Sequence, residues 1–250
     1  MSKIAIMQPY FLPYVGYWNL LAAADEFVFF DIVQYNKKSW MNRNRILDYN
    51  QHEHFQYLSV PVKKHKKGTQ IQHVLINQQN HWQASLLGKL TIYKSHRARY
   101  YSETLDFISD LLNTPCQCLN ELCVLITTKI CELLEIPLQA QLASELNMDT
   151  SDIQSPGDWA LTICSTLRKT QYINPHGGAA IFDEQKYHQK GVSIGFVKPR
   201  LSPYEQSANR DFVPGLSIVD LLMFNDLQTV KDLVHSDFDI LSQAEILGVS

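Results

Sequence analysis

A strand–loop–helix–strand unit opens the chain and constrains what can follow it. Residues 3–45 read KIAIMQPYFLPYVGYWNLLAAADEFVFFDIVQYNKKSWMNRNR. An apolar strand, Ile4 to Met7, runs into a loop carrying Gln8, Pro9, Tyr10 and Pro13. The turn Tyr14-Val15-Gly16-Tyr17 opens an apolar helix that ends near Ala24, and a second strand, Phe27 to Phe30, ends on Asp31. Two strands joined through a helix predict a parallel pair with a crossover. The polar residues mass where the strands end, which is the edge at which open α/β sheets bind ligands.

The rest of the chain continues this rhythm with a helical interruption. Residues 55–62 (FQYLSVPV) alternate and are β-branched or aromatic, so they read as a strand, with Asn42 to Asp48 as a short ribbon partner. Ile71 to Ile76 reads as another short strand. Helices follow from His81 to Tyr93, capped by Asn80, then over Thr104 to Leu112 and Leu119 to Leu134, the last apolar at i, i+3, i+4 and i+7. Strands are expected at 138–142, 172–174 and 192–197. Helices are expected from Pro156 to about Lys169, over Ala179 to His188, after the Ser217 cap, and from Leu227 to about His235. The expected fold is one doubly wound α/β domain with a mainly parallel, Rossmann-like sheet. The 55–62 strand joins that sheet, and residues 81–135 form a helical insertion or subdomain within the domain.

Length and composition suit such a domain. A chain of 250 residues with 45% hydrophobic content buries a substantial core. A net charge of -3 and a pI near 6.3 argue against nucleic acid as a bulk ligand, while local basic clusters can still hold phosphates. Cys116, Cys118, Cys123, Cys131 and Cys164 are odd in number and lack a complete zinc spacing. They read as free thiols in a reducing compartment, and no metal site is expected. No signal-peptide pattern opens the chain and no apolar run approaches the ~20 residues of a membrane helix. The expectation is a cytoplasmic protein without membrane insertion. A lipid-linked substrate at the membrane surface stays open, and nothing in the sequence sets an oligomeric state.

Four polar segments leave strands: Gln8 to Tyr17, Asp31 to Arg45, Asn174 to Gly178, and Lys198 to Gln206. The first offers the Gln8 amide and the phenols of Tyr10, Tyr14 and Tyr17, with Gly16 letting backbone approach a ligand. Its helix start supplies N–H groups for an anion. The alternative is that Tyr14 and Tyr17 are core residues. Enzymes of the HIGH-motif nucleotidyl-transfer superfamily place His-x-Gly-His at the same junction. Here phenols stand instead, which hydrogen-bond phosphate but carry no positive charge. Asp31 suits metal ligation, a sugar hydroxyl, or pairing with Arg43 or Arg45. Asn42 and Asn44 face one way in a strand and Arg43 and Arg45 the other, an arrangement suited to a diphosphate or carboxylate. Lys38 and Trp40 sit in the same loop. Lys63 to Lys67 reads either as a solvated charge run or as a phosphate-facing loop. Pro175-His176-Gly177-Gly178 offers a backbone nest at Gly177 and Gly178, and His176 is the best-placed histidine for acid–base work.

The stretches IAIMQPYFLPYVGYW, FVFFDIVQYNKKSWMNRNRIL, LSVPVKK, YINPHGG, GVSIGF and PGLSIVDLL resemble the WbqC-like family, found in bacterial O-antigen and surface-polysaccharide gene clusters. The resemblance covers nearly the whole chain. It implies aminoacyl transfer, notably glycyl transfer, onto an amino sugar. The chain departs from the family pattern at Asn174-Pro175-His176 and Ile181, so His176 rests on its position in the loop alone. On this reading Gln8, Asp31 and His176 are the catalytic candidates. Lys38, Arg43 and Arg45 hold phosphates, Tyr10, Tyr14 and Trp40 stack on base or sugar, and Gly16, Tyr17, Asn42, Gly177 and Gly178 complete the binding set. The substrate is a nucleotide- or lipid-linked amino sugar, and the activated donor is ATP-derived or an aminoacyl carrier. Two other functions compete: nucleotidyl transfer with ATP at the Tyr14–Tyr17 turn, and non-catalytic nucleotide-sugar binding.

Overall fold

The computed structural model describes residues 2–79, 81–207 and 210–248. Its elements are β1 (Lys3–Met7), α1 (Val15–Ala23), β2 (Glu26–Phe29), β3 (Arg43–Leu47) and β4 (Phe55–Ser59). The helical middle holds α2 (Trp82–Leu90), α3 (Ile92–Ser95), α4 (Tyr101–Asn113) and α5 (Leu119–Leu133). Then come β5 (Ala140–Leu142), α6 (Asp158–Thr166), β6 (Gln171–Pro175), α7 (Glu184–Gln189), β7 (Ser193–Pro199), α8 (Ile218–Phe224), α9 (Leu227–Ser236), β8 (Phe238–Leu241) and α10 (Gln243–Leu247).

Six strands form one sheet in the order β5-β2-β1-β6-β7-β8, parallel except for β8, which runs antiparallel to β7. β1 lies between β2 and β6, with Ile4 opposite Glu26 on one side and Tyr172 on the other. The chain crosses to β2 on one side of β1 and later returns on the other. The carboxyl ends of β1 and β6 therefore flank a topological switch point. This is the expected Rossmann-like, doubly wound α/β architecture.

Alternation of side chains sorts the core into two faces. Ala5, Phe27, Phe29, Ile173 and Val197 pack with α1, α9 and the helical middle. Ile4, Ile6, Val28, Tyr172, Ile194 and Phe196 pack with α6, α7 and the segment before it. The insertion shares its apolar cluster with the first sheet face: Leu90, Ile108, Leu122, Ile126 and Ile130 belong to the same group as Phe27 and Phe29. No helix among the described residues is long and apolar enough to cross a membrane.

Several expectations need correction. The 55–62 segment does not join the main sheet. It ends at Ser59 and pairs antiparallel with β3, from Arg43 opposite Ser59 to Leu47 opposite Phe55. A short turn over Asp48 to His54 brings the two together, closed by the Asp48 amide donating to the His54 carbonyl at 2.9 Å. Such local pairing closes a small loop, whereas a parallel place in the sheet needs a long crossover. Residues 71–73 form a 3₁₀ turn, not a strand. The expected 179–188 helix is split into a 3₁₀ segment (His176–Ile181) and α7, because Asp183 breaks the run and caps α7 through the Lys186 amide. The Asn80 cap lies outside the described residues. β8 and α10 were not expected. Ser217 does cap α8, accepting from the Val219 amide.

The first turn of α8 carries a wholly buried carboxylate, Asp220. It accepts from the hydroxyls of Tyr93 and Tyr204 and from the Gln206 amide, each at 2.8 Å. Burial pushes its pKa up to about 6 from 3.8, and these donors only partly offset it. The folded protein thus binds this proton more tightly than the unfolded chain does. Its contribution to stability is greatest below the unfolded pKa and is lost as pH rises through about 6. Measured by denaturant unfolding, wild type should lose about 2 kcal/mol between pH 4 and pH 6 relative to the Asp220→Asn variant, out of about 3 kcal/mol over the whole titration. Parallel stability profiles for the two proteins would refute this.

Candidate functional site

At the switch point the carboxyl ends of β1 and β6 open into a cleft of about 930 Å³. β1 delivers Met7 and Gln8, and the following loop delivers Tyr10 and Tyr14. β6 delivers Tyr172 and Asn174, followed by Pro175, Gly177 and Gly178. Phe30 and Trp40 enter from beyond β2, and Gln154, Ser155 and Trp159 from the start of α6. A second chamber of about 440 Å³ adjoins, sharing Tyr10, Tyr14 and Trp40 and adding Asn44, Arg45, Leu201 and Gly215.

Hydrogen bonds within the first loop hold its polar groups in place. The Tyr10 hydroxyl donates to Gln8 Oε1 at 3.1 Å, and the Tyr17 hydroxyl donates to the Gln8 carbonyl at 3.0 Å. The Gln8 amide nitrogen has no partner among the described residues and is left to the cleft. The Trp18 indole donates to the Pro13 carbonyl at 3.0 Å, and Ser217 Oγ donates to the Leu12 carbonyl at 2.7 Å, fixing the loop's far end. Across the cleft the Tyr172 hydroxyl donates to Asn174 Oδ1 at 2.7 Å. Gln154 and Ser155 are held by their amides donating to the Asp158 carboxylate. Lys186, which donates to the same carboxylate, is the main reason its pKa falls to about 2.

Among the described residues no charged side chain lines the larger chamber. Its ionisable groups are phenols, and burial raises them: Tyr10 to about 12, helped by Tyr14, with Tyr14 raised and Tyr17 and Tyr172 well above the usual value. All four are protonated at neutral pH, so they act as hydrogen-bonding groups and not as bases. Trp40, Trp159 and Phe30 supply ring faces, with Phe30 and Trp159 at 5.5 Å between centroids.

Among the described residues the smaller chamber carries one charge, Arg45. Its guanidinium lies over the Trp40 ring at 5.4 Å and over Phe55 at 4.9 Å, and donates to the Gly215 carbonyl at 2.9 Å. Its Nε is buried without a hydrogen-bond partner, and no carboxylate among the described residues pairs with it.

The structure gathers Gln8, Tyr10, Tyr14, Gly16, Tyr17, Trp40, Gly177 and Gly178 at the larger chamber, and Arg45 at the smaller. It does not bring the rest there. Asp31 is fully buried, accepting from the Ser144 amide at 3.0 Å, from Ser144 Oγ at 2.7 Å and from the Asn120 amide at 3.3 Å. It pairs with neither arginine. Arg43 lies over Tyr57 at 4.7 Å and donates to the Lys38 carbonyl at 2.8 Å, with Lys38 exposed. Asn42 donates to the Val60 carbonyl at 2.9 Å. His176 is half-buried outside the chamber lining, its Nδ1 unpartnered. The segment after β7 reaches only the smaller chamber, through Leu201.

The glycines also differ from expectation. Gly16 makes room for the Tyr14 ring, not for a ligand: a Cβ there would sit 2.5 Å from the Tyr14 Cζ and Oη. Gly178 does the same for the Asn174 amide. Gly177 and Gly178 sit in a 3₁₀ turn with neither at positive φ, so they form no alternating backbone nest. Phe30, Gln154, Ser155, Trp159 and Tyr172 were missed as chamber residues, and Asn174 was named only as the start of a polar segment. The usable signal was Ser155-Pro156 before Asp158, a helix start facing the same sheet edge.

Residues 8–232 match the WbqC-like protein family. The chain belongs to that family. Among relatives, the WbqC-like chain is 26% identical over 238 residues to "uncharacterized protein Rv1507c" of Mycobacterium tuberculosis, covering 89% of this chain and 93% of that protein. No solved structure matches. The family match spans the Gln8 loop, Trp40, Arg45, Trp159 and Asn174, hence both chambers.

Asp31 in this WbqC-like fold satisfies three donors from inside the protein. Asp31→Ala should lower stability by about 2–4 kcal/mol in denaturant unfolding, since buried donors are stranded. Affinity for any chamber ligand, measured well below the melting temperature, should stay unchanged. A selective loss of affinity with stability intact would place Asp31 in the site after all.

Proposed function

We propose that this protein transfers an acyl or aminoacyl group onto the amine of a phosphate-linked amino sugar in surface-polysaccharide biosynthesis. The observation that carries this reading is a large uncharged chamber of rings, phenols and amides beside one unpaired guanidinium. Sugars offer apolar faces to Trp40 and Trp159 and hydroxyls to Gln8, Gln154 and Asn174. A chamber without carboxylates desolvates an ammonium and favours the free amine, which is the nucleophile. The amine nitrogen attacks the donor's acyl carbon, an amide forms, the bond to the leaving group breaks, and the amine proton departs with that group. Phenol and amide N–H donors suit the transient oxyanion. Arg45 holds the sugar's phosphate in the smaller chamber. The donor is an activated acyl group, ATP-derived or carried on an aminoacyl carrier. The polysaccharide setting rests on the family resemblance.

A second reading, binding without catalysis, draws support from the lack of any lining side chain that titrates near neutrality. The nucleotidyl-transfer reading has less support, because the Tyr14 ring covers the first turn of α1 at Gly16.

Thermal-shift and calorimetric titration with UDP-linked amino sugars, the free amino sugars and ATP separate these. A nucleotide-linked amino sugar should stabilise the protein by about 2.7 kcal/mol at a hundredfold excess over its Kd. Arg45→Gln should weaken that ligand about tenfold to a hundredfold, the worth of a charge-assisted hydrogen bond, and leave the free amino sugar unaffected. Gln8→Ala should weaken both. Binding without product after supply of aminoacyl donors supports the binding-only reading, and no stabilisation by any amino sugar overturns both.

A further inference from the structure

Charge is segregated along this chain. Residues 32–102 hold twelve Lys and Arg against two acids, Asp48 and Glu53, a formal +10, while the remainder sums to -13. The near-neutral total conceals this division. Folding concentrates part of the excess. The loop at Lys37 and Lys38 and the loop at Lys63, Lys64, Lys66 and Lys67 are sewn together by residues 69–71. The Tyr35 amide donates to the Thr69 carbonyl at 2.8 Å, the Ile71 amide to the Val33 carbonyl at 3.0 Å, and the Tyr35 and His65 rings meet at 5.0 Å.

All six lysines are exposed, and among the described residues none has an ion-pair or hydrogen-bond partner for its ammonium. Like charges this close repel, so the arrangement costs stability unless an anion faces it. Two exposed apolar side chains flank it. Trp40, 36% exposed, follows the first loop, and Leu75, 41% exposed, has its carbonyl bonded to the Lys63 amide at 2.9 Å.

We propose that this face seats the protein peripherally on an anionic lipid bilayer. Compact ammonium groups beside an exposed indole and an exposed leucine match the headgroup zone, where lysines meet lipid phosphates and amphipathic rings settle at the interface. Nucleic acid fits less well: the nearby arginines, which would read phosphates bidentately, are turned onto Tyr57, Trp40 and Phe55 instead. Trp40 also lines both chambers, so the docked orientation sets the chamber mouth near the membrane surface. The inference does not depend on the reaction proposed above.

Flotation with vesicles of phosphatidylcholine, with and without phosphatidylglycerol, tests it on the full chain. Binding is expected only with phosphatidylglycerol, and it should fall steeply with added salt. Each lysine neutralised should lower the partition coefficient about fivefold, so Lys66→Gln with Lys67→Gln should lower it about twenty-five-fold. The wild-type salt dependence serves as a readout that needs no variant to fold. Equal binding to neutral vesicles, indifference to the double substitution, or no vesicle binding with retention of duplex DNA would each overturn the proposal.

Discussion

The buried carboxylate of Asp31 is the joint on which this structure turns. It sits where β2 ends and accepts from Ser144, just after β5, and from Asn120, in the first turn of α5. Its backbone carbonyl accepts from the Gln72 amide at 3.1 Å, in the turn that leads from the ribbon to the helices. One residue thereby joins the sheet, its edge strand, the ribbon connection and the helical insertion. A buried carboxylate is tolerated only when hydrogen-bonded, and here every bond crosses between elements distant in sequence. Trp40 and Arg45 reach the chambers from the chain that follows this joint.

Most of the sheet was legible because its strands are short apolar runs bounded by polar loops, the pattern of a parallel sheet buried on both faces. Ile4 to Met7, Phe27 to Phe29 and Tyr172 to Asn174 all lie where their sequences place them. Residues 55–59 were harder, since alternation does not say which partner a strand takes. β8 escaped because Phe238–Leu241 is only four residues long and is interrupted by Asp239, a charge of the kind edge strands at a sheet's margin often carry. The helical middle showed its periodicity clearly. Its sharing of one core with the sheet was not legible, because contacts so far apart in sequence leave no local mark.

The site was legible in location but not in membership. Converging strand ends pointed to the Gln8 and Asn174 loops, and both line the larger chamber. Charge was a poorer guide. Asp31 and Arg43 looked functional because charged residues near strand ends attract attention, yet Asp31 is satisfied inside the protein and Arg43 is turned onto the Tyr57 ring. The residues that fill the gap, Trp159 and Phe30 among them, are aromatic and read equally well as core. The larger chamber is lined by no charged side chain among the described residues.

Arg45 is held by a carbonyl and two rings, none of which takes up or releases a proton near neutrality. A guanidinium paired with a carboxylate loses its counter-charge in acid, and its field then changes with pH. This one does not. The smaller chamber keeps a constant positive potential across the physiological range, and ionic strength is left as the solution variable that tunes it. An anion's own ionisation, not the protein's, would then set how its binding varies with acidity.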